Sequence, residues 1–311
     1  MATHVQFGLR LAEFSFEPVG GAQFRDLLFR YLDGIHHHFA SAWVADHFFP
    51  WMASVDQTTG TFEAMTTISY LMARYPDLTI GSIVLSQAYR QPALLAKMAT
   101  TLQTLSGGRF ILGIGAGWKE NEYKAYGYDF PSTGARIEQL GEAVQVIRKM
   151  WEEDQPCFQG KYYKIENAYC NPRFTPNPPL LIGGGGRKKT LRIAAQYADW
   201  WNVPGSFENF RDAAASLREH CQAIGRDEKS IVKSWLTDCL AIAPTREQAE
   251  QLAQASPLNG GGAICGSPDE VAEQLQRFVD AGAQHFMLRF ADFPKTDGAL
   301  LFVKEVLPRF Q

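Results

Sequence analysis

The sequence predicts an α/β fold, a TIM (β/α)8 barrel carrying inserted segments. Three observations point there. Apolar strand-like runs alternate with longer helical patterns from end to end, which calls for parallel pairing through right-handed crossovers. About eight such units occupy 311 residues, an ordinary length for one closed barrel. The strands read as continuous apolar runs, as expected where both faces of a sheet are covered.

The elements follow in order. VQFGLRL (5–11) is the first strand, followed by a helical stretch from about Ala22 to His38. SAWVA (41–45) precedes a helix near 62–75, closed by a turn at Pro76-Asp77. LTIGSIVL (78–85) precedes PALLAKMATTLQTLS (92–106), where Pro92 suits the first helical turn and Gly107-Gly108 a stop. RFILGIG (109–115) leads to a helix around 134–152. LLIG (180–183), ADWWNV (198–203), SIVKSWLTDCLAIA (230–243) and HFMLRF (285–290) complete the series, each with a helical partner. The stretch 154–178 is Pro-rich, aromatic and polar, and reads as an insertion with a short hairpin around Gly160-Lys161. No linker divides the chain, so 1–311 is expected to be one domain.

Composition narrows the partners. Hydrophobic residues make up 46% and charged residues 20%, enough for a sizeable core. A net charge of −3 gives no electrostatic case for nucleic acid or an anionic membrane. No apolar run reaches the roughly 20 residues a bilayer span needs. MATHVQFGLRL lacks a secretory pattern, and the expected location is cytoplasmic. Five scattered cysteines without a CxxC pair fit reduced thiols. His36, His37 and His38 are adjacent, point in different directions on a helix and read as a solvated helix end, with no metal expected.

In a parallel barrel the working face lies at the carboxyl ends of the strands. WVADHFFPW (43–51) ends the second strand with Asp46 and His47, then Phe48, Phe49 and Trp51. Taken alone, Asp46 could equally cap a turn and His47 could be structural. At a barrel mouth the pair reads as a site rim where a flat ring stacks and a proton is exchanged. Ser86 and Gln87 end the third strand, Gly115 to Trp118 the fourth, with Asn121 and Glu122 one turn on; Asn202 and Arg289 end later strands. Glu13, Glu120 and Glu122 are carboxylates near the mouth, each read singly as exposed. Arg90 fits an anion contact or a surface cap equally well. In PPLLIGGGGRKKTLRIAA (178–195) a strand, four glycines and a basic pair open a helix, an arrangement suited to phosphate. It is neither GxxxxGK[ST] nor GxGxxG, so a nicotinamide cofactor has no motif.

Assembled in order, WVADHFFPW, GSIVLSQAYRQPALLAKMATTLQTLSGGRFILGIGAGWKENEYKAYG, RIEQLGEAVQVIRKMW and PPLLIGGGGRKKTLRIAAQYADWWNV resemble the luciferase-like monooxygenase superfamily, and most closely its branch that uses the deazaflavin coenzyme F420. The resemblance covers essentially the whole chain. It implies a TIM-like barrel holding a deazaflavin at its mouth, a small-molecule substrate and a homodimer; the aliphatic helix 92–105 would suit such an interface, and core burial explains that helix equally well. It further implies coenzyme contact for Asp46, acid/base work for His47 and a ring-facing role for Trp51. Ser86, Ala116, Gly117 and Asn121 fall where the family holds the ring and its side chain. Gly185, Gly186, Lys188 and Lys189 fall where it holds the phosphate. The family's non-prolyl cis peptide falls at Ile83–Val84, backing the ring. One departure is Trp118, which stands where the sugar-phosphate dehydrogenases of this branch have Glu. It makes glucose 6-phosphate an unexpected substrate and favours an apolar or aromatic one, with Trp118 and Glu13 the expected residues of the substrate pocket. The alternatives are an FMN-dependent monooxygenase served by a flavin reductase, and a non-catalytic flavin-binding barrel.

Overall fold

Eight parallel strands close on themselves in the computed structural model, which describes residues 5–16, 19–52, 54–258 and 264–311. The strands are β1 (Gln6–Arg10), β2 (Ser41–Val44), β3 (Thr79–Ser82) with its continuation β4 (Leu85–Ser86), and β5 (Phe110–Gly115). After β6 (Phe158–Gln159) and β7 (Lys164–Ile165) come β8 (Leu180–Gly183), β9 (Trp200–Pro204), β10 (Val232–Ile242), β11 (Ile264–Gly266) and β12 (His285–Phe290). Hydrogen bonding runs β1–β2–β3–β5–β8–β9–β10–β12 and returns to β1, all parallel.

The helices are α1 (Gly21–Ile35), α2 (Ala64–Arg74), α3 (Pro92–Ser106), α4 (Glu120–Ala125) and α5 (Thr133–Glu152) in the first half. The second half has α6 (Thr190–Tyr197), α7 (Phe207–Ala223), α8 (Arg246–Ala255), α9 (Pro268–Asp280) and α10 (Asp297–Glu305). α3 begins at Pro92 and ends where Gly107 takes the left-handed conformation, φ +68°, as its punctuation predicts. His36–His38 form a single 3-10 turn after α1. The insertion does contain a hairpin, β6 against β7. β11, absent from the sequence reading, is three residues long, too short for a periodic signal. None of the described helices is long and apolar enough to cross a membrane.

The apolar runs are explained by two cores. Alternate strand residues such as Phe7, Leu9, Ala42, Val44, Phe110 and Leu112 pack outward under the helices. Their neighbours Trp43, Ile111, Leu181, Leu236 and Met287 fill the barrel interior with Ile83. The large indole of Trp43 fits because Gly81 across the sheet has no Cβ, which would otherwise strike its ring.

Two irregularities matter for the mouth. The Ile83–Val84 peptide is cis and separates β3 from β4. There Ser82 Oγ donates to Gly113 O and accepts from Gly113 N, both at 2.8 Å, patching the ladder to β5. In β10 three steps from Thr237 to Leu240 oppose two on β12, a bulge around Asp238. Ser82→Ala would leave the buried Gly113 N–H without an acceptor and is expected to cost about 1–3 kcal/mol in denaturant unfolding.

Candidate active site

A cavity of about 550 Å³ occupies the carboxyl mouth of the barrel. Asp46, His47, Trp51, Ile83, Val84, Ser86, Ala116, Gly117, Trp118 and Gly186 all line it, brought together from β2, β4, β5 and β8. Arg10, Lys119, Glu122, Asn202 and Asp238 line it as well.

Asp46 is buried, and its oxygens are already engaged. Arg90 donates to both of them, at 2.9 and 3.0 Å, and Ser86 N donates at 3.0 Å. Arg90 also pairs with Glu63, whose carboxylate caps the start of α2. The open choice at Arg90 is thereby closed: it is an ion-pair partner that pins the β2 end to the β4 end. The Ser86 hydroxyl is itself 2.5 Å from Tyr123 Oη. Asp46 is thus held in place by the protein while still facing the cavity.

The more consequential finding is Glu122. Read singly it was expected to be exposed, yet its side chain is 1% exposed. His47 Nδ1 donates to it at 3.0 and 3.1 Å, Phe48 N at 3.1 Å, and Tyr89 Oη at 3.3 Å. The cause is helical geometry: successive residues of α4 turn by about 100°, so Asn121 faces solvent and Glu122 faces in. Asn121, expected at the ring, does not line the cavity. Burial would raise the Glu122 pKa, but the His47 hydrogen bond and charge, the Lys119 ammonium and the Phe48 amide hold it below the usual carboxylate value. The ionised carboxylate can only accept, so His47 carries hydrogen on Nδ1 and Nε2 is its free nitrogen.

The aromatics after His47 divide the work. Phe48 turns away and packs on Tyr126 and Tyr89, at 4.1 and 4.5 Å between ring centres. Lys119 lies 4.0 Å over the Phe49 ring and donates to Pro50 O at 3.0 Å, clamping the loop. Trp51 and Trp118 flank His47 with ring centres 6.2 and 5.7 Å away. Trp118 is an exposed indole at the entrance, met edge-on by the imidazole.

Glu13 departs from expectation in another way. It does not line the cavity but is buried beneath it, bonded to Arg10 and, at 3.1 and 3.2 Å, to Arg289. Burial works to raise its pKa, but Arg10 and Arg289 prevail and hold it at about 2.

At the glycine loop, Gly183, Gly184 and Gly186 line the cavity, while Gly185 does not. Lys188 and Lys189 are exposed and off the cavity, and Lys189 pairs with Glu138 at 3.0 Å. The reason is again geometric: both lysines precede the first turn of α6 and project outward, leaving Thr190 as the side chain that faces in.

The Glu13 cluster generates a stability test. Glu13→Gln would leave two buried guanidinium groups against one remaining acid, Asp238, and should cost about 3–5 kcal/mol in chemical denaturation. Because the folded-state pKa is depressed from 4.5 to about 2, its contribution is fully present above pH 4.5 and disappears as pH falls toward 2. Acid unfolding curves of the variant should accordingly be flatter than wild type across that window.

Comparison with known proteins agrees with this architecture. Residues 36–262 match the luciferase-like monooxygenase family. An F420-dependent glucose-6-phosphate dehydrogenase of Kineococcus radiotolerans is 29% identical over 300 residues, covering 86% of this chain and 88% of the relative. The solved structure of an F420-dependent secondary alcohol dehydrogenase, in complex with an F420-acetone adduct, superposes with a TM-score of 0.83 at 22% identity, over 100% of both chains. An EDTA monooxygenase from Chelativorans sp. superposes with a TM-score of 0.79 at 18% identity, over 99% of this chain and 93% of that one. The family match spans well over half of the sequence, and the chain belongs to the luciferase-like monooxygenase family.

Proposed function

We propose that the protein is an oxidoreductase that moves a hydride between coenzyme F420 and an uncharged, largely apolar alcohol or carbonyl compound. The observation that carries this reading is the His47–Glu122 pair on the cavity wall, an imidazole oriented by a buried carboxylate. The F420-dependent dehydrogenase similar over most of the chain supports the choice of coenzyme.

The residues present fit such a group. Trp51 offers a buried indole N–H with no acceptor among the described residues, on the wall of the cavity. Val84, Ser86, Ala116 and Gly117 would hold the ring, Asp46 would keep Ser86 and the bulge in register beneath it, and Gly184, Gly186 and Thr190 would hold its phosphate. When bound, the deazaflavin supplies a ring carbon that accepts or donates hydride.

The proton is the protein's task. His47 Nε2 removes it from the substrate hydroxyl during oxidation and returns it to the carbonyl oxygen during reduction. Glu122 fixes the tautomer and stabilises the imidazolium. Trp118 and Trp51 form apolar walls on either side. Both cations on the described cavity wall are committed, Arg10 to Glu13 and Lys119 to Pro50 O and Glu122, so a sugar phosphate lacks a partner.

Four outcomes are expected. Fluorescence titration of the apo protein should show tighter binding of F420 than of FMN; the reverse order would make it an oxygen-using flavin monooxygenase. His47→Ala should keep F420 affinity while lowering kcat by about 10²–10⁴-fold in the coenzyme absorbance assay. Glu122→Gln, which keeps the shape but not the charge, should lose on the order of 10²-fold, and glucose 6-phosphate should not be turned over by any of these proteins.

A further inference from the structure

One carboxylate on the cavity wall differs from the others. Asp46 is occupied by Arg90 and Ser86, and Glu122 by His47, Phe48 and Tyr89. Asp238 accepts no hydrogen bond from any described residue. It sits at the β10 bulge, which turns its side chain toward the mouth. Oδ1 is buried, 3.7 Å from Arg10 Nε and 3.8 Å from Arg289 Nη1, too far for hydrogen bonds. The side chain is nevertheless 35% exposed, which leaves Oδ2 as the oxygen open to the cavity.

The charge around this oxygen is balanced. Arg10 and Arg289 are each more than nine-tenths buried and face Glu13 and Asp238, two cations against two anions. Arg10 itself lines the cavity and keeps a buried Nε–H without an acceptor. A carboxylate or phosphate brought here meets Asp238. An ammonium meets two guanidinium groups. An uncharged hydroxyl meets neither penalty, and it can donate to Asp238 Oδ2.

We propose that Asp238, backed by Arg10 and Arg289, is a specificity-determining subsite that anchors a second, uncharged hydroxyl of the substrate and excludes substrates with an anionic group at that end. The proposal rests on the reading of His47 as the proton-exchanging group for alcohol chemistry in the same cavity. It predicts a substrate that is an apolar body carrying one reacting hydroxyl or carbonyl function and one further hydroxyl that is held.

Three matched probes test it: benzyl alcohol, 1,4-benzenedimethanol and 4-(hydroxymethyl)benzoate, each titrated calorimetrically into the F420-loaded full chain and assayed separately for turnover. The wild type should bind the diol at least tenfold more tightly than either the mono-alcohol or the acid. Asp238→Asn preserves the shape and leaves a net positive charge, so it should shift the acid-to-diol affinity ratio at least tenfold toward the acid. Asp238→Ser serves as a second variant should the first not fold, and should abolish the diol preference over benzyl alcohol. An unchanged ratio in the folded variants, or no binding of any probe to the wild type, would overturn the subsite. If the binding order follows the proposal but no probe is oxidised, the subsite stands and the alcohol-oxidoreductase reading falls.

Discussion

The candidate site is organised around one buried carboxylate. An ionised acid removed from water must collect donors or lose its charge, and Glu122 collects them from three places in the chain: the imidazole of His47, the backbone at Phe48 and the phenol of Tyr89. Those contacts tie the loop after β2 to the short helix after β5. They also decide which imidazole nitrogen is free. Phe48 itself packs on Tyr89 and Tyr126, and the burial of the carboxylate strengthens each of its hydrogen bonds.

The rest of the mouth follows a common electrostatic pattern. Asp46 is neutralised by Arg90, Glu13 by two arginines, and Lys119 by Glu122 together with the Pro50 carbonyl. Ionic groups so paired hold backbone ends together and contribute little net field to the cavity. The result is a frame of paired ionic groups around the apolar residues of the cavity, with Asp238 on its wall accepting no hydrogen bond from the described residues. Trp51 and Trp118, on either side of His47, extend that apolar character to the entrance.

The barrel itself is regular except where it needs to present something. Val84, in the break between β3 and β4, lines the cavity, and the bulge in β10 places Asp238 there. Both interruptions leave the flanking ladder intact, the first because Ser82 supplies the missing hydrogen bonds to Gly113. Irregular backbone at a strand end can aim a side chain that an ideal strand would bury or turn outward.

The sequence by itself determined the barrel, the order of its strands, the start and stop of α3 and the hairpin of the insertion. These depend on periodicity, glycine and proline, which are local and leave their mark on neighbouring residues. It also located the strand-end residues Asp46, His47, Ser86 and Gly117, since the end of an apolar run is visible in one dimension. Only the tertiary structure decided which of Asn121 and Glu122 faces inward, that Arg90 grips Asp46, that Glu13 lies beneath the cavity and that the lysines after the glycine loop point away. In each of these the deciding partner lies far along the chain: 75 residues separate His47 from Glu122, 44 separate Asp46 from Arg90 and 276 separate Glu13 from Arg289. Pairing of charges across such distances is set by how strands close into a barrel, and no local pattern records it.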